Sequence, residues 1–166
     1  SEMCIRDRDY QEAVKWYQKA AKKGFTPAQN NLGLILAGEV FSTPAPQEAV
    51  RWFRKAADSG YGPAQWNLAR HLNSGEGVNQ DLMESVEWVR KAAEQEIAAA
   101  QNRLGVCCSE GIGMEVDEVQ AVGWFRKAAE QGFADAQDYL GYIYEEGKIT
   151  ERNLSEAGMW FREAGN

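Results

Sequence analysis

The sequence predicts an all-α fold: a right-handed α/α superhelix (solenoid) of about four helix-pair repeats, each 36 residues long. Three observations carry that expectation. A block centred on tryptophan returns every 36 residues, a block rich in alanine and leucine returns in the same frame, and glycine-bearing turns join them. No such pair can bury its apolar stripe alone, so pairs of this kind stack on their neighbours.

The tryptophan block defines the second helix of each pair. AVKWYQKAAKKG starts at Ala13, AVRWFRKAADSG at Ala49, SVEWVRKAAEQE at Ser85, AVGWFRKAAEQG at Ala121 and AGMWFREAG at Ala157. Five of the six tryptophans, Trp16, Trp52, Trp88, Trp124 and Trp160, fall on this register. Ala13, Trp16, Tyr17, Ala20 and Ala21 follow the i, i+3, i+4, i+7, i+8 stripe of an amphipathic helix. That stripe predicts Trp16, Trp52, Trp88 and Trp124 to be buried. Start signals recur as Asp9 with Glu12, Asp81 with Glu84, Asp117 with Gln120 and Asn153 with Glu156, each a candidate capping box. Ala45 cannot cap, but Pro46 follows it at a first-turn position where its missing N–H costs nothing. Gly24, Gly60 and Gly132 suit the left-handed position that ends the helix. Glu96 replaces them in one copy, at a cost of about 1 kcal/mol if it takes the same conformation.

The first helix of each pair opens at PAQNNLG (Pro27), PAQWNLA (Pro63), AAQNRLG (Ala99) and DAQDYLG (Asp135). Ala28, Leu32 and Leu36 stand one above another, as do Ala64, Leu68 and Leu72, then Ala100, Leu104 and Cys108, then Ala136, Leu140 and Tyr144. Gly33, Ala69, Gly105 and Gly141 follow the leucine, where a tiny residue lets another helix approach closely. The turns Gly75-Glu76-Gly77 and Gly111-Ile112-Gly113 close the pair. Nine helices result, near 9–23, 27–38, 46–59, 63–74, 82–95, 99–110, 118–131, 135–146 and 154–164. Residues 1–8 do not match the repeat and are read as a leader that need not be native sequence. Residues 9–166 form the array, and the lack of polar caps at its ends reads as a piece of a longer one.

The formal net charge of -7 argues against nucleic acid or an anionic membrane surface as the main partner, since both need a basic face. No stretch approaches the ~20 apolar residues of a membrane span, and no signal peptide is visible, so the expectation is a soluble chain. Cys4, Cys107 and Cys108 form no disulfide framework and read as reduced, buried side chains. That favours the cytoplasm without excluding the periplasm or secretion. The oligomeric state is not legible in the sequence.

These motifs resemble the Sel-1-like repeat family, relatives of tetratricopeptide repeats. Its pattern runs alanine–glutamine, leucine–glycine, a Gly-x-Gly turn, an acidic cap and an Ala-x-x-Trp-aromatic-x-Lys-Ala-Ala helix. Ala64, Gln65, Leu68, Gly75, Gly77, Asp81, Trp88, Lys91, Ala92 and Ala93 match it, and the resemblance covers residues 9–165. Departures are local: Glu39–Pro44 replaces one Gly-x-Gly turn, Glu96 a glycine, and Lys148–Thr150 the second glycine of the last turn. The resemblance implies a non-enzymatic scaffold or adaptor that binds a partner protein or peptide. An alternative is a small-molecule-binding or hydrolytic, penicillin-binding-like repeat protein, as described for disulfide-stapled members. The cysteine pair per repeat that marks those members is absent here.

Candidate chemistry is sparse. The single histidine, His71, stands where Ile35, Cys107 and Ile143 stand in other repeats and reads as partly covered rather than catalytic. A metal site with Cys107 lacks a third ligand. The Gly-x-Gly pairs lack the third glycine and preceding strand of a phosphate loop and read as turns. Arg54–Lys55, Arg90–Lys91 and Arg126–Lys127 are followed by Asp58, Glu94 and Glu130, four residues after each arginine, and read as a neutralised helix surface. The residues thus point to no catalytic group, no metal and no cofactor.

By analogy with tetratricopeptide arrays, the first helices line the concave face. Their positions outside the alanine–leucine stripe are Asn30 and Leu34, Trp66 and Arg70, Asn102 and Val106, Asp138 and Tyr142. Of these, Trp66, Arg70, Asn102, Val106 and Tyr142 are the candidate partner-binding residues, because aromatic and arginine side chains dominate interface hot spots.

Overall fold

The computed structural model describes residues 12, 14–38, 44–147 and 153–165. Residues 1–8, the Asp9 cap, most of the Glu39–Pro44 segment and Lys148–Thr150 lie outside them. Among the described residues all regular structure is helical: α1 (14–22), α2 (Thr26–Leu36), α3 (Pro46–Asp58), α4 (Gly62–Ser74), α5 (Leu82–Glu94), α6 (Ala98–Glu110), α7 (Glu118–Glu130), α8 (Ala134–Glu146) and α9 (Leu154–Ala164). Where both ends are described, the expected boundaries hold to within about two residues, because caps and breakers fix them.

The chain forms two compact units, residues 1–81 and 82–166. In the first, α3 packs against α2 and α4, and Ala21, Ala28 and Leu32 make a small core with Tyr17, Leu36 and Trp52 around it. In the second, α6 packs on α5 and α7, and α8 packs on α7 and α9.

The first-helix stripe is buried as expected. Ala28, Leu32, Ala64, Leu68, Leu72, Ala100, Leu104, Cys108, Ala136, Leu140 and Tyr144 are all in the core, and Leu36 is half-buried. The second-helix stripe differs from the expectation. Its innermost large residue is the one after tryptophan: Phe53, Val89 and Phe125 are sealed, with Ala49, Ala56 and Ala57 or their equivalents around them. Trp88 alone of the four ladder tryptophans is buried, at 8% exposure. Trp52 and Trp124 are half-buried, and Trp16 is 62% exposed. The burial expected of the ladder is therefore corrected by one position. An indole with a polar N–H sits better at the shoulder of the stripe, while the wholly apolar phenylalanine takes the centre.

Small first-helix residues make room for that ring. A Cβ on Gly33 would stand 2.5 Å from Phe53 Cε1, one on Gly105 3.0 Å from Phe125 Cδ1, and one on Gly141 2.5 Å from Phe161 Cε1. Each aromatic lies 20 residues after its glycine, and at the same spacing Ala69 is followed by the smaller Val89.

The helix ends follow the chemistry of the sequence. Asp117 caps α7 by accepting from the Gln120 backbone N–H at 2.9 Å, and Asn153 caps α9 by accepting from the Ser155 and Glu156 N–H groups. The Gln120 side chain donates to the other Asp117 oxygen at 2.7 Å rather than accepting from its backbone. Glu84 Oε1 accepts from Trp88 Nε1 at 3.1 Å. Gly24, Gly60 and Gly132 adopt φ of 87°, 83° and 82°, and Glu96 is forced to 61° in the same role.

The glutamine of each alanine–glutamine pair has a role that the sequence did not disclose. Gln29, Gln65, Gln101 and Gln137 donate through Nε2 to the carbonyls of Ala21, Ala57, Ala93 and Ala129, at 3.1, 3.3, 3.2 and 3.0 Å. Those carbonyls lie in the last turn of the preceding helix, and each also accepts from the backbone N–H three residues on, at Gly24, Gly60, Glu96 and Gly132. The glutamine thus gives each carbonyl a second donor and ties the two helices together at the corner.

Candidate functional site

Trp66 and Arg70 lie one turn apart on α4, half-buried and exposed respectively. Asn102 and Val106 lie one turn apart on α6, and both are half-buried. Tyr142 on α8 is 60% exposed and stands edge-on to Phe161, with ring centroids 5.1 Å apart. The first two belong to the first unit and the other three to the second. The wider set needs one correction. Asn30 is buried, and its Oδ1 accepts from Asn67 Nδ2 at 2.9 Å, so it holds α2 to α4 instead of facing a partner.

His71 is a core residue. It is 7% exposed, its ring lies 5.3 Å from that of Phe53, and its Nδ1 donates to the Glu76 carbonyl at 2.9 Å. That bond fixes the tautomer and ties the Gly75–Gly77 turn to α4. Cys107 and Cys108 are free and buried. Burial pushes both thiols above their ordinary value, more than Arg103 and Arg90 pull them down, so neither is a ready thiolate. Among the described residues no group of three metal-ligating side chains converges.

The outer surface of the second helices carries a feature that sequence reasoning missed. Lys19, Lys55, Lys91 and Lys127 place Nζ over the rings of Trp16, Trp52, Trp88 and Trp124, at 5.2, 4.5, 3.9 and 4.1 Å from the centroid. The signal was the repeated Trp-x-x-Lys spacing, since i and i+3 share a helix face. Depressions of about 620 and 500 Å³ lie beside Trp52 and Trp124. The first is lined by α3 side chains such as Glu48, Arg51 and Asp58, the second by Glu94, Glu96 and Gln101. Neither lining brings a nucleophile to a general base. A smaller depression of about 190 Å³ is lined by Ala37, Arg70, His71, Ser74 and Glu76.

The Sel1 repeat family matches residues 5–25, 26–61, 62–96, 98–133 and 134–166. The chain belongs to the Sel1 repeat family. Its 36-residue period, glycine-bearing turns and tryptophan helices are those of the Sel1 repeat, and a protein-binding scaffold is the role typical of this family. The chain is similar to a protective antigen with an SLR fold from uropathogenic Escherichia coli strains, at 39% identity and a TM-score of 0.87 over 92% of this chain and 33% of that one. It is also similar to a Sel1 repeat protein from Oxalobacter formigenes, at 32% identity and a TM-score of 0.88 over 95% and 45%. Helicobacter pylori cysteine rich protein B matches at 25% identity and a TM-score of 0.61, over 77% and 92%. The chain spans between a third and a half of the first two proteins. No curated protein matches it. No helix among the described residues is long and apolar enough to cross a membrane.

Proposed function

We propose that this Sel1 array is a non-enzymatic scaffold that holds a partner protein or peptide through its first helices. Trp66 and Arg70 in the first unit and Asn102, Val106 and Tyr142 in the second are its contact residues. One observation carries the reading. The alanine and central leucine positions of the first helices (Ala28 and Leu32 and their counterparts) repeat from copy to copy and are sealed, while Trp66, Arg70, Val106 and Tyr142 differ from their register mates and none of the five is buried. Where packing does not dictate identity, an exposed tyrosine and a half-buried tryptophan beside an arginine match the composition of interface hot spots. The second helices are less suited to the role, because lysine already covers the tryptophan faces there.

The test is capture of a partner from a lysate on the immobilised 166-residue chain, identification by mass spectrometry, and calorimetric affinity for the purified partner. Trp66→Ala should weaken binding by about 2 kcal/mol or more, while costing much less stability than Trp88→Ala. Unchanged affinity together with equal destabilisation by the two substitutions would place Trp66 in the core and sink the assignment.

A further inference from the structure

The same repeat position is satisfied in one unit and orphaned in the other. Asn30 and Asn102 stand at one position of their repeats, two repeats apart. Asn30 Oδ1 accepts from Asn67, 37 residues further on. The residue 37 after Asn102 is Tyr139, whose ring stacks on Phe125 at 3.9 Å, and Asn102 Oδ1 is closed off from solvent with no donor among the described residues. A sealed carbonyl oxygen without a donor is destabilised, so this amide is poised to take one from outside. Asn102 as a whole is only half-buried, so a change of side-chain rotamer is the step that would bring the oxygen to the surface.

The next first helix complements it. Asp138 is the register mate of Asn102 one repeat on, and Tyr142 lies one turn beyond it; both are exposed. At i and i+4 they share one face of α8. That helix carries Asp135, Asp138, Glu145 and Glu146 and no basic residue, whereas α2 and α4 carry no carboxylate. The carboxylate and the phenol ring ask for the same thing, which is a cation with several N–H donors and a flat face, and the Asn102 oxygen asks for one further N–H donor. Guanidinium meets the first two demands where ammonium lacks the plane, and a peptide backbone supplies the third.

We propose that the α6–α8 surface of the second unit docks an arginine-bearing peptide segment. Asp138 and Tyr142 hold the guanidinium, and the Asn102 oxygen accepts from a backbone N–H of the same segment. This names the partner chemistry of the scaffold surface and rests on that reading.

The probe is acetyl-Ala-Arg-Ala-amide, titrated into the full ¹⁵N-labelled chain and followed by NMR, with the citrulline peptide as its neutral near-isostere. Saturable shifts are expected at the Asn102 side-chain amide and the Tyr142 ring. Asp138→Asn and Asn102→Ala should each weaken binding at least fivefold, Asp58→Asn should not, and citrulline should bind at least tenfold less tightly. Thermal melts of the variants confirm folding, and Asn102→Ala should melt no lower than the parent because it removes the orphaned oxygen. Equal binding of citrulline, shifts spread over Asp58, Glu94 and Glu130, or no saturation overturns the inference. If a captured partner depends on Trp66 but is indifferent to Asn102→Ala and Asp138→Asn, this inference falls and the scaffold stands. If no partner depends on the first helices at all, both fall.

Discussion

Gly33 presents its bare α-carbon to the ring of Phe53, so closely that a methyl group there would stand 2.5 Å from Cε1. Gly141 meets Phe161 at the same distance, so the approach is a property of the repeat. Gly33→Ala should therefore cost about 1–3 kcal/mol in urea unfolding, although alanine is the better helix former. Gly123→Ala is the control, because nothing lies within 4 Å of its added Cβ, and it should stabilise by about 0.5–1 kcal/mol. Combining Gly33→Ala with Phe53→Leu should cost less than the sum of the two. Strict additivity would show that the ring and the methyl group do not compete.

Glu96 closes α5 at φ 61°, where its register mates are glycines. Glu96→Gly should raise stability by about 1 kcal/mol by relieving the left-handed strain, and Glu96→Ala should gain little. Equal melting temperatures for the glycine and alanine variants would show that the strain is absent.

The tryptophans should separate by depth. Trp88 is buried and bonded to Glu84, so Trp88→Ala should cost about 3–5 kcal/mol. Trp16 is mostly exposed, with Lys19 over its ring, and Trp16→Ala should cost less than about 1 kcal/mol. Iodide should quench Trp16 readily and Trp88 hardly at all, as read from single-tryptophan variants.

Gln101 is satisfied at both ends, donating to the Ala93 carbonyl and accepting from Gln131 Nε2 at 2.7 Å. Gln29 donates to the Ala21 carbonyl, but its buried Oε1 has no partner among the described residues. Gln101→Met should thus destabilise by about 1–2 kcal/mol, and Gln29→Met by less, because it also removes an orphaned acceptor. Chemical denaturation of the two variants reads the difference, and a larger loss at Gln29 would reverse the assignment.

The Asp117 cap should respond to acid. The Gln120 backbone N–H, then its side-chain amide, holds the carboxyl below the ordinary aspartate value. A carboxylate whose folded value is depressed contributes above its unfolded value of about 3.9 and loses that contribution as pH falls through the lower folded value. The Gln120 amide resonance should titrate with a midpoint below that of free aspartate. Asp117→Asn, itself a competent cap, should abolish the titration and leave α7 intact.

What the sequence determined by itself was everything local or periodic. The 36-residue period is visible in residue identity alone, and the Asp117, Asn153 and Pro46 starts and the glycine stops act within one turn of chain, so helix number and boundaries were legible along with the alanine–leucine stripe. The tertiary structure decided which of two adjacent aromatics reaches the centre. Trp52 and Phe53 both lie near the stripe, and only the space above Gly33 admits Phe53 while leaving Trp52 at the shoulder. It likewise decided the fate of polar side chains. A hydrogen bond depends on an atom brought near from elsewhere in the chain, which is why Gln29 and its counterparts turned out to serve the corners. For the same reason Asn30 was found bonded to Asn67 while Asn102, at the same repeat position, was left with an empty acceptor. Residue type and spacing fix a helix face, but whether that face is filled depends on what the neighbouring helix presents to it.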